Sequence, residues 1–329
     1  MSQVETRISV SSESDETAPL LSIGVFTHNH ERFVGECLRS ISSFHAYEVT
    51  ITDDGSQDET QAVIVNQLQA EGFRNAHVRT ILDVTNHGFV RRLNHFLDSM
   101  RGEWFLLLSG DDKFVDGGID HLLEVAHLNP GVDVVFSRFG RIDERGHPLS
   151  NPVDEKRYHA LGRKFEKPEN PFRSLMSSGS FVPGGCTLVR SDFVRRHSIR
   201  FNSLLTNAED YDFWLQCASS GATFVYTERK CWDYRVLATS KYHSAGPERL
   251  RSELLAVGRH RSDAPTVANV GGLVWGIQMW KGQYLARAKT HRMGAQEAAS
   301  LLDSSVLAIL FALPIVLAQS IFRRWRGWR

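Results

Sequence analysis

The stretch Trp104-Phe-Leu-Leu-Leu-Ser-Gly-Asp-Asp112 decides the fold that we predict for this chain. Five apolar residues in a row are typical of a strand that is buried on both faces of a parallel sheet. The strand leads through Ser109-Gly110 into two carboxylates at its carboxyl end. Open α/β sheets bind their ligands at that edge, and adjacent carboxylates there suit a hard divalent cation together with a phosphate-bearing substrate.

Strand-like and helix-like patterns alternate through the first hundred or so residues. The short apolar run at 20–26 and the segments 47–52 and 78–82 are predicted to be strands. Helical spacing at 31–43, a capping-box pattern that begins a helix over 56–70 and a helical pattern at 89–100 follow them. This alternation predicts an α/β fold with an open, Rossmann-like, mostly parallel sheet and right-handed crossovers. Ligands are then expected along one edge of the sheet.

The rest of the chain is less regular. We predict a helix over 116–127, a strand over 132–136, a long surface loop over 140–170, a helix from Glu209 to before Gly221, a strand over 222–226 and helical structure beyond Pro247. The chain is therefore divided into a disordered tail at 1–19, an α/β domain at 20–244 and a helical C-terminal extension at 245–329.

Composition excludes several classes of protein. The chain has 329 residues, of which 42% are hydrophobic, and its 38 basic and 38 acidic residues give a formal net charge of +0. No overall field therefore favours nucleic acid as a partner. The four cysteines, Cys37, Cys186, Cys217 and Cys231, lie far apart and lack zinc-type spacing, which favours a reducing, cytoplasmic location.

The C-terminal tail, residues 304–329, allows two interpretations. Residues 306–322 are almost uniformly apolar, and Arg323-Arg-Trp-Arg-Gly-Trp-Arg329 follows. The apolar stretch is shorter than the roughly 20 residues of a spanning helix, but Arg and Trp at its end suit a membrane interface. The tail is either a peripheral contact with the inner face of the cell membrane, or a helix packed on the domain or on a second copy of the chain in a homo-oligomer.

Three acidic clusters are candidates for chemistry. Asp54 follows a predicted strand, where it either accepts hydrogen bonds from a ligand or caps the next helix. Asp111 and Asp112 would raise each other's pKa unless a cation such as Mg²⁺ or Mn²⁺ neutralises them, and a solvated turn is the alternative. Glu209 and Asp210 begin a predicted helix, where they are either a general base or ordinary N-terminal acids.

Taken together, five strings resemble the family-2 glycosyltransferases. They are Phe26-Thr27-His28-Asn29, Asp53-Asp54-Gly55-Ser56, Ser109-Gly110-Asp111-Asp112, Glu209-Asp210-Tyr211-Asp212 and Tyr234-Arg235. Their order and spacing cover roughly residues 20–243. The resemblance implies a GT-A fold and the transfer of a sugar from a nucleotide donor with inversion at the anomeric carbon.

The resemblance also implies roles for individual residues. The residues that it assigns to the nucleotide are Thr27, Asn29, Asp54, Arg92, Asn94, Asp111 and Arg235. Within this set, Thr27 and Asp54 would lie at the base and ribose, and Arg235 would either face the diphosphate or form a structural salt bridge. Asp112, helped by Asp111, would hold Mg²⁺ or Mn²⁺ on the diphosphate. Asp210, with Glu209 beside it, would be the catalytic base.

The chain departs from the family pattern in ways that leave other functions open. Ser109 replaces the first acid of the Asp-x-Asp-Asp form, and Val236 follows Arg235 where many members carry a histidine. A nucleotide-sugar-binding protein without catalysis and a nucleotidyltransferase are therefore the alternatives. The Gln-x-x-Arg-Trp signature of processive members does not follow Asp210, so we expect one sugar per encounter. The expected partners are a nucleotide-sugar donor and a glycan or lipid-linked acceptor, in cell-surface polysaccharide or glycolipid biosynthesis.

Overall fold

The computed structural model describes residues 19–70, 73, 76–150, 160, 162–165, 170–205, 207–237 and 246–260. Residues 1–18 and the apolar tail at 304–329 lie outside this part of the chain. The described strands are β1 (Leu21–Thr27), β2 (Tyr47–Asp53), β3 (Ala76–Leu82), β4 (Trp104–Ser109), β5 (Lys113–Phe114), β6 (Val134–Ile142), β7 (Leu188–Arg190) and β8 (Phe224–Arg235). The described α-helices are α1 (Val34–Arg39), α2 (Thr60–Gln69), α3 (Phe89–Ser99), α4 (Gly118–Leu128), α5 (Pro171–Ser178), α6 (Ser191–Arg196), α7 (Glu209–Ser219) and α8 (Gly246–Arg259).

The strands β1 to β4 form the parallel half of an eight-stranded sheet whose order is β3-β2-β1-β4-β7-β6-β8-β5. β1 pairs with β2 and β4, and β2 pairs with β3, all in parallel. The register places Thr27 opposite Asp53 and Phe26 opposite Ser109, so the polar residues that follow these strands meet at one edge. The predicted alternation of strand and helix is confirmed over this half.

The other half of the sheet is mixed, so the expectation of a mostly parallel sheet is only partly confirmed. β7 pairs antiparallel with β4 and with β6, and β5 pairs antiparallel with β8, whereas β6 and β8 are parallel. Both β5 and β7 have only two or three residues. Strands this short carry no periodic signal that would reveal them or their direction.

Several element bounds differ from those predicted. β6 continues to Ile142 and β8 to Arg235, whereas the sequence predicted strand ends at 136 and 226. Both strands continue into partly exposed segments that contain Arg or Lys, and this polarity hides them from a search for apolar runs. Helices α5 and α6 were not predicted, although Asn170 caps α5 by accepting a hydrogen bond from the Arg173 amide.

Helices cover both faces of the sheet. On β4, Phe105 and Leu107 join one buried cluster, while Leu106 and Leu108 join the other. Helices α3, α5, α6, α7 and α8 contribute to the first cluster, and α1, α2 and α4 to the second. Burial on both faces explains the uninterrupted apolar sequence of β4 and leaves the carboxyl ends of the strands for polar groups.

Helix α8 is the described part of the predicted C-terminal extension. Its Ala256 and Val257 are buried in the same cluster as the core residues of α7, so α8 packs on the α/β domain. The proposed boundary near residue 244 falls outside the described residues, and the division into domains stays a prediction. Within the described ranges, no helix is long and apolar enough to cross a membrane.

Candidate active site

The loop after β1 is tied to the end of β2 by hydrogen bonds. The Thr27 hydroxyl donates to Asp53 Oδ2 at 2.9 Å, and the Ser56 amide donates to Asp53 Oδ1 at 3.0 Å. The Asn29 amide donates to the Ser56 hydroxyl at 2.8 Å, and Asn29 Oδ1 accepts from the Gln57 amide at 2.8 Å. Thr27 and Asn29 therefore stand together at the sheet edge where α/β folds bind ligands.

Asp54 is a buried carboxylate that accepts three hydrogen bonds from the protein. Oδ1 accepts from the His87 amide and from Arg92 Nε, both at 2.9 Å, and Oδ2 accepts from the Gly88 amide at 2.8 Å. Burial alone would raise the pKa of Asp54, but these donors outweigh it and hold the pKa below its ordinary value. Arg92 is also buried and forms a second ion pair with Asp83. The structure thus brings Asp54 and Arg92 together, while their contact with a nucleotide stays a prediction.

Asn94 lies on the other side of α3. It follows Arg92 by two residues, which corresponds to about 200° around a helix. Its Nδ2 donates to the Phe201 carbonyl at 2.9 Å, and its Oδ1 accepts from the Phe201 amide at 3.0 Å. The structure therefore does not bring Asn94 to the other candidates, and the side chain ties α3 to the segment before α7.

The turn after β4 packs directly on β1. The Gly110 amide donates to the Phe26 carbonyl at 2.8 Å, and the Asp112 amide donates to the Ser109 carbonyl at 3.0 Å. A Cβ atom on Gly110 would lie 2.5 Å from Thr27 Cγ2, so glycine is needed for this close approach. The turn therefore places Asp111 and Asp112 next to Thr27.

The two aspartates of this turn differ in exposure. Asp111 is partly exposed and accepts a hydrogen bond from the Ser109 hydroxyl, whereas Asp112 is only 4% exposed and accepts on Oδ1 from the Arg235 amide at 2.8 Å. Burial and the neighbouring Asp111 raise the pKa of Asp112 well above its ordinary value, against the opposing effect of Arg235. Asp112 is therefore a buried acid whose charge is poorly compensated in the protein alone.

The buried side chain of Arg235 supports the turn that contains Asp111 and Asp112. Its side chain is 1% exposed, and Nε donates to the Asp111 carbonyl at 2.7 Å while Nη1 donates to the Asp143 carbonyl at 3.0 Å. Nη2 forms an ion pair of 2.5 Å with Glu36, and the guanidinium lies over the Phe33 ring, 4.9 Å from its centroid. Of the two roles predicted for Arg235, this geometry favours the structural salt bridge.

Asp210 packs against Gly184, and the segment that contains Gly184 and Gly185 is hydrogen-bonded to β4. It lies in the first turn of α7, directly after Glu209. A Cβ on Gly184 would lie 3.1 Å from Asp210 Oδ2, which shows how closely the two residues approach. Two residues later, the Cys186 amide donates to the Leu107 carbonyl of β4 at 2.8 Å. The segment 183–186 therefore joins Asp210 to the strand that ends in the aspartate pair.

The pKa of Asp210 is shifted in the direction that a base needs. Burial raises this pKa, while the Arg249 charge and the Tyr211 amide, which donates to Asp210 Oδ1 at 2.7 Å, oppose the rise. General bases work best when their pKa lies close to the working pH. Asp210 is therefore a better proton acceptor than an aspartate in water.

Asp111 and Asp112 are the candidate ligands for a cation. In the part of the chain that the structure describes, no group of three or more His, Cys, Asp and Glu side chains converges as a metal site. Mg²⁺, however, is usually held by one or two carboxylates together with substrate phosphates and water. A cation would also favour the ionised form of buried Asp112. The two residues therefore fit Mg²⁺ or Mn²⁺ held between them and a diphosphate.

Sequence reasoning missed three contributors to the site, namely Gly184, Asp83 and Glu36. The Gly184-Gly185 pair was a usable signal, because glycine marks positions where a backbone must be approached closely. Asp83 directly follows β3 and could have been found from its place at the same sheet edge. Glu36 lies 199 residues from its partner Arg235, and no sequence pattern links the two.

Comparisons with known proteins agree with this architecture. A family model described as glycosyl transferase family 2 matches residues 22–196. Uncharacterized glycosyltransferases of Rickettsia typhi and Rickettsia prowazekii are 25% and 26% identical over 231 residues, which is 69% of this chain. The matched region spans 65% of the length of each relative.

Two solved structures share the fold. S. aureus TarS 1-349 in complex with UDP-GlcNAc superposes with a TM-score of 0.64 at 17% identity, covering 88% of this chain and 81% of that one. The mannosyltransferase PcManGT from Pyrobaculum calidifontis, in complex with GDP-Man and Mn²⁺, gives a TM-score of 0.58 at 13% identity, covering 98% and 86%. The predicted open α/β sheet of the GT-A type is confirmed by this likeness.

The matched region of the family model covers more than half of the chain and runs from β1 to the end of α6. It includes Thr27, Asp54 and the Asp111-Asp112 turn, which the fold places at one sheet edge. The chain therefore belongs to glycosyl transferase family 2.

Proposed function

We propose that this protein is an inverting, metal-dependent glycosyltransferase that moves a sugar from a nucleoside-diphosphate donor to an acceptor hydroxyl. The observation that carries the proposal is the convergence on β4 of the Asp111-Asp112 turn, packed on Thr27, and of Asp210, packed on Gly184. Family membership supports the reaction class. The ligands named for the two structural neighbours, UDP-GlcNAc and GDP-Man, support a nucleotide sugar as the donor.

In the proposed reaction the acceptor oxygen attacks the anomeric carbon from the face opposite the diphosphate. The bond between that carbon and the diphosphate oxygen breaks, and the nucleoside diphosphate leaves with the electron pair. Asp210 takes the acceptor proton, and its raised pKa suits this step. Mg²⁺ or Mn²⁺ bound by Asp111 and Asp112 would stabilise the charge on the departing diphosphate.

In this proposal the nucleoside binds at the carboxyl ends of β1 and β2. Thr27, Asn29 and Asp54 lie at that edge in positions fixed by hydrogen bonds within the protein. The His87 amide, Arg92 and the Gly88 amide together hold the pKa of Asp54 below its ordinary value. Because hydrogen bonds already fix these side chains, binding of the donor requires little reorganisation of the protein.

We place the reaction in the synthesis of a cell-surface polysaccharide or glycolipid, on the cytoplasmic side. The support is the sequence of residues 306–329, whose apolar run and Arg- and Trp-rich end would hold the enzyme near a lipid-linked acceptor. Transfer of one sugar per encounter follows from the missing Gln-x-x-Arg-Trp signature.

The test uses Asp210→Asn in the full chain, with Asp192→Asn as the matched control. Asp192 also lies in the first turn of a helix, but its side chain is 64% exposed. Release of UDP or GDP is measured from UDP-GlcNAc or GDP-Man with Mn²⁺, with and without alkyl glycosides as acceptors, and donor binding is measured by calorimetry. Asp210→Asn should lower turnover by about 10²- to 10⁴-fold and keep donor binding, whereas the control should match the wild type.

Two outcomes would overturn the proposal. Release of pyrophosphate from UTP or GTP when a sugar 1-phosphate is supplied, with no UDP or GDP released from the nucleotide sugar, would make the protein a nucleotidyltransferase. Donor binding without transfer or donor hydrolysis would make it a binding protein. Undiminished turnover of Asp210→Asn would remove Asp210 from its role.

A further inference from the structure

Helix α7 carries a buried acid that the proposed reaction does not use. Asp212 is 0% exposed and lies about 200° around the helix from Asp210, so the two carboxylates face in opposite directions. Asp212 Oδ1 lies 3.1 Å from His260 Nε2 and 3.4 Å from Arg259 Nε. A buried carboxylate persists only when it is paired, so these contacts hold α7 from the side away from the acceptor.

Arg259 and His260 lie at the end of α8, and one face of α8 continues the contact. A third partner of Asp212 is on α7 itself, because Gln216 Nε2 donates to Asp212 Oδ2 at 2.8 Å. Arg249, Glu253, Ala256 and His260 recur three or four residues apart, which puts them on one stripe of the helix. Glu253, Ala256 and His260 are all buried, and Arg249 pairs with Glu253 at 2.9 Å. The face of α8 that packs on the core therefore contains charged as well as apolar side chains.

Arg249, near the beginning of α8, acts on Asp210 through its charge, which opposes the rise in the pKa of Asp210 that burial causes. Burial and the Glu253 charge in the next turn of α8 raise the pKa of Tyr211. Direct contacts of α8 with the first turn of α7 are made by Arg259 and His260, which meet Asp212.

We propose that α8 is a clamp that positions the catalytic base: the Arg259 and His260 pair at its end holds the first turn of α7 through Asp212, and the positive charge of Arg249 at its beginning supports the same turn electrostatically. This inference rests on the proposed role of Asp210. Arg249 and His260 are positioning residues, because they act through α7. A base displaced by 1 Å from its acceptor can lose about 10²-fold in rate, so a loosened clamp should lower kcat.

The first experiment compares His260→Ala and His260→Gln in the full chain, with Leu255→Ala as control. Glutamine keeps an N–H that can donate to Asp212, and Leu255 is a half-exposed residue on the same helix. Hydrogen exchange of the amides at 209–213 and kcat and KM for the donor are measured. His260→Ala should exchange at least tenfold faster and lose 10- to 100-fold in kcat with an unchanged donor KM. His260→Gln should recover most of both losses.

The second experiment applies the same measurements to Arg249→Met and Arg249→Lys, and to Asp212→Asn. Lysine keeps the charge, so Arg249→Lys should retain more kcat than Arg249→Met. Asp212→Asn removes the buried charge and the need for a cation, so it should stay folded even if His260→Ala does not. It should show the faster exchange and the lower kcat of a loosened α7.

Exchange and turnover distinguish failure of the clamp from failure of the proposed function. Unchanged exchange at 209–213 in Arg249→Met and Asp212→Asn would overturn the clamp, whatever the activity of the wild type. Faster exchange with unchanged kcat would also overturn it, because α8 would then stabilise α7 without positioning the base. A wild type that transfers no sugar, with normal protection of α7, would instead refute the proposed function.

Discussion

Replacing Arg235 by methionine separates the two roles predicted for this residue. The side chain is 1% exposed, donates to the carbonyls of Asp111 and Asp143 at 2.7 and 3.0 Å, and pairs with Glu36 at 2.5 Å. Methionine leaves both carbonyls without this donor, and a hydrogen bond from a charged donor contributes about 1.5–3 kcal/mol. Glu36 is partly exposed and can regain water. We therefore expect Arg235→Met to lower the free energy of unfolding by about 3–6 kcal/mol, which is the contribution of two such hydrogen bonds, with little added by the loss of the ion pair to Glu36.

Arg32→Met is the matched control for this change. Arg32 lies 5.2 Å from the centroid of the same Phe33 ring and pairs with Glu144 at 2.9 Å, but its side chain is 61% exposed. Exposed pairs contribute about 0–1 kcal/mol. Urea denaturation followed by circular dichroism, without nucleotide or metal, measures both variants. If Arg235→Met unfolds at the same urea concentration as the control but binds the donor more weakly, the guanidinium serves the diphosphate and the reasoning is refuted.

Three further substitutions test the carboxylates and the turn. Asp54→Asn should lower the free energy of unfolding at pH 7 by about 1–3 kcal/mol, because the charge that Arg92 pairs with is lost. Since folding lowers the pKa of Asp54, this contribution is present above the unfolded value of about 3.9 and is lost as the pH falls through the folded pKa. A difference in unfolding free energy between the wild type and Asp54→Asn that stays constant down to about pH 3 would contradict this prediction. Asp112→Asn should instead preserve or raise the melting temperature in EDTA at pH 7. Folding raises the pKa of Asp112, so the ionisation of this group opposes folding increasingly as the pH rises above the unfolded value of about 3.9. Gly110→Ala should cost about 1–3 kcal/mol in urea titrations, since its Cβ would lie 2.5 Å from Thr27 Cγ2, whereas Gly258→Ala, with open space in α8, should be neutral or stabilising.

The parallel half of the sheet could be predicted because local signals there agree. β1 and β4 are apolar runs ended by polar residues, β2 alternates apolar residues with Glu48, Thr50 and Thr52 before Asp53, and helical patterns separate the strands along the chain. The position of Thr27 and Asp111-Asp112 at one edge follows from parallel pairing alone. The site residues carried by these strands were therefore within reach of sequence reasoning.

The remaining parts of the site depend on contacts that have no local signature. Arg235 was identified as a candidate from the sequence. Its partners, the Asp111 carbonyl in the turn after β4 and Glu36 on α1, come from segments far apart in the chain, so no local pattern predicts them. Asn94 was assigned with Arg92, although a spacing of two residues on one helix places the side chains on opposite sides. Helical geometry could have separated these two, whereas the pairing of Asp212 with the end of α8 could not be read from spacing.

The mixed topology, which the sequence only partly predicted, is also what opens the active site. β1 accompanies β4 as far as Ser109, but β7 pairs with β4 only at Trp104 and Phe105. Beyond Phe105, the Cys186 amide bonds to the Leu107 carbonyl, and the glycines before it leave room for Asp210. In a sheet with a full parallel neighbour at this position, a strand would occupy the space where the base approaches. The change of direction at β7 thus leaves the carboxyl end of β4 without a paired strand on the side of Gly184 and Asp210, in keeping with the tendency of α/β sheets to bind ligands where the strand order reverses.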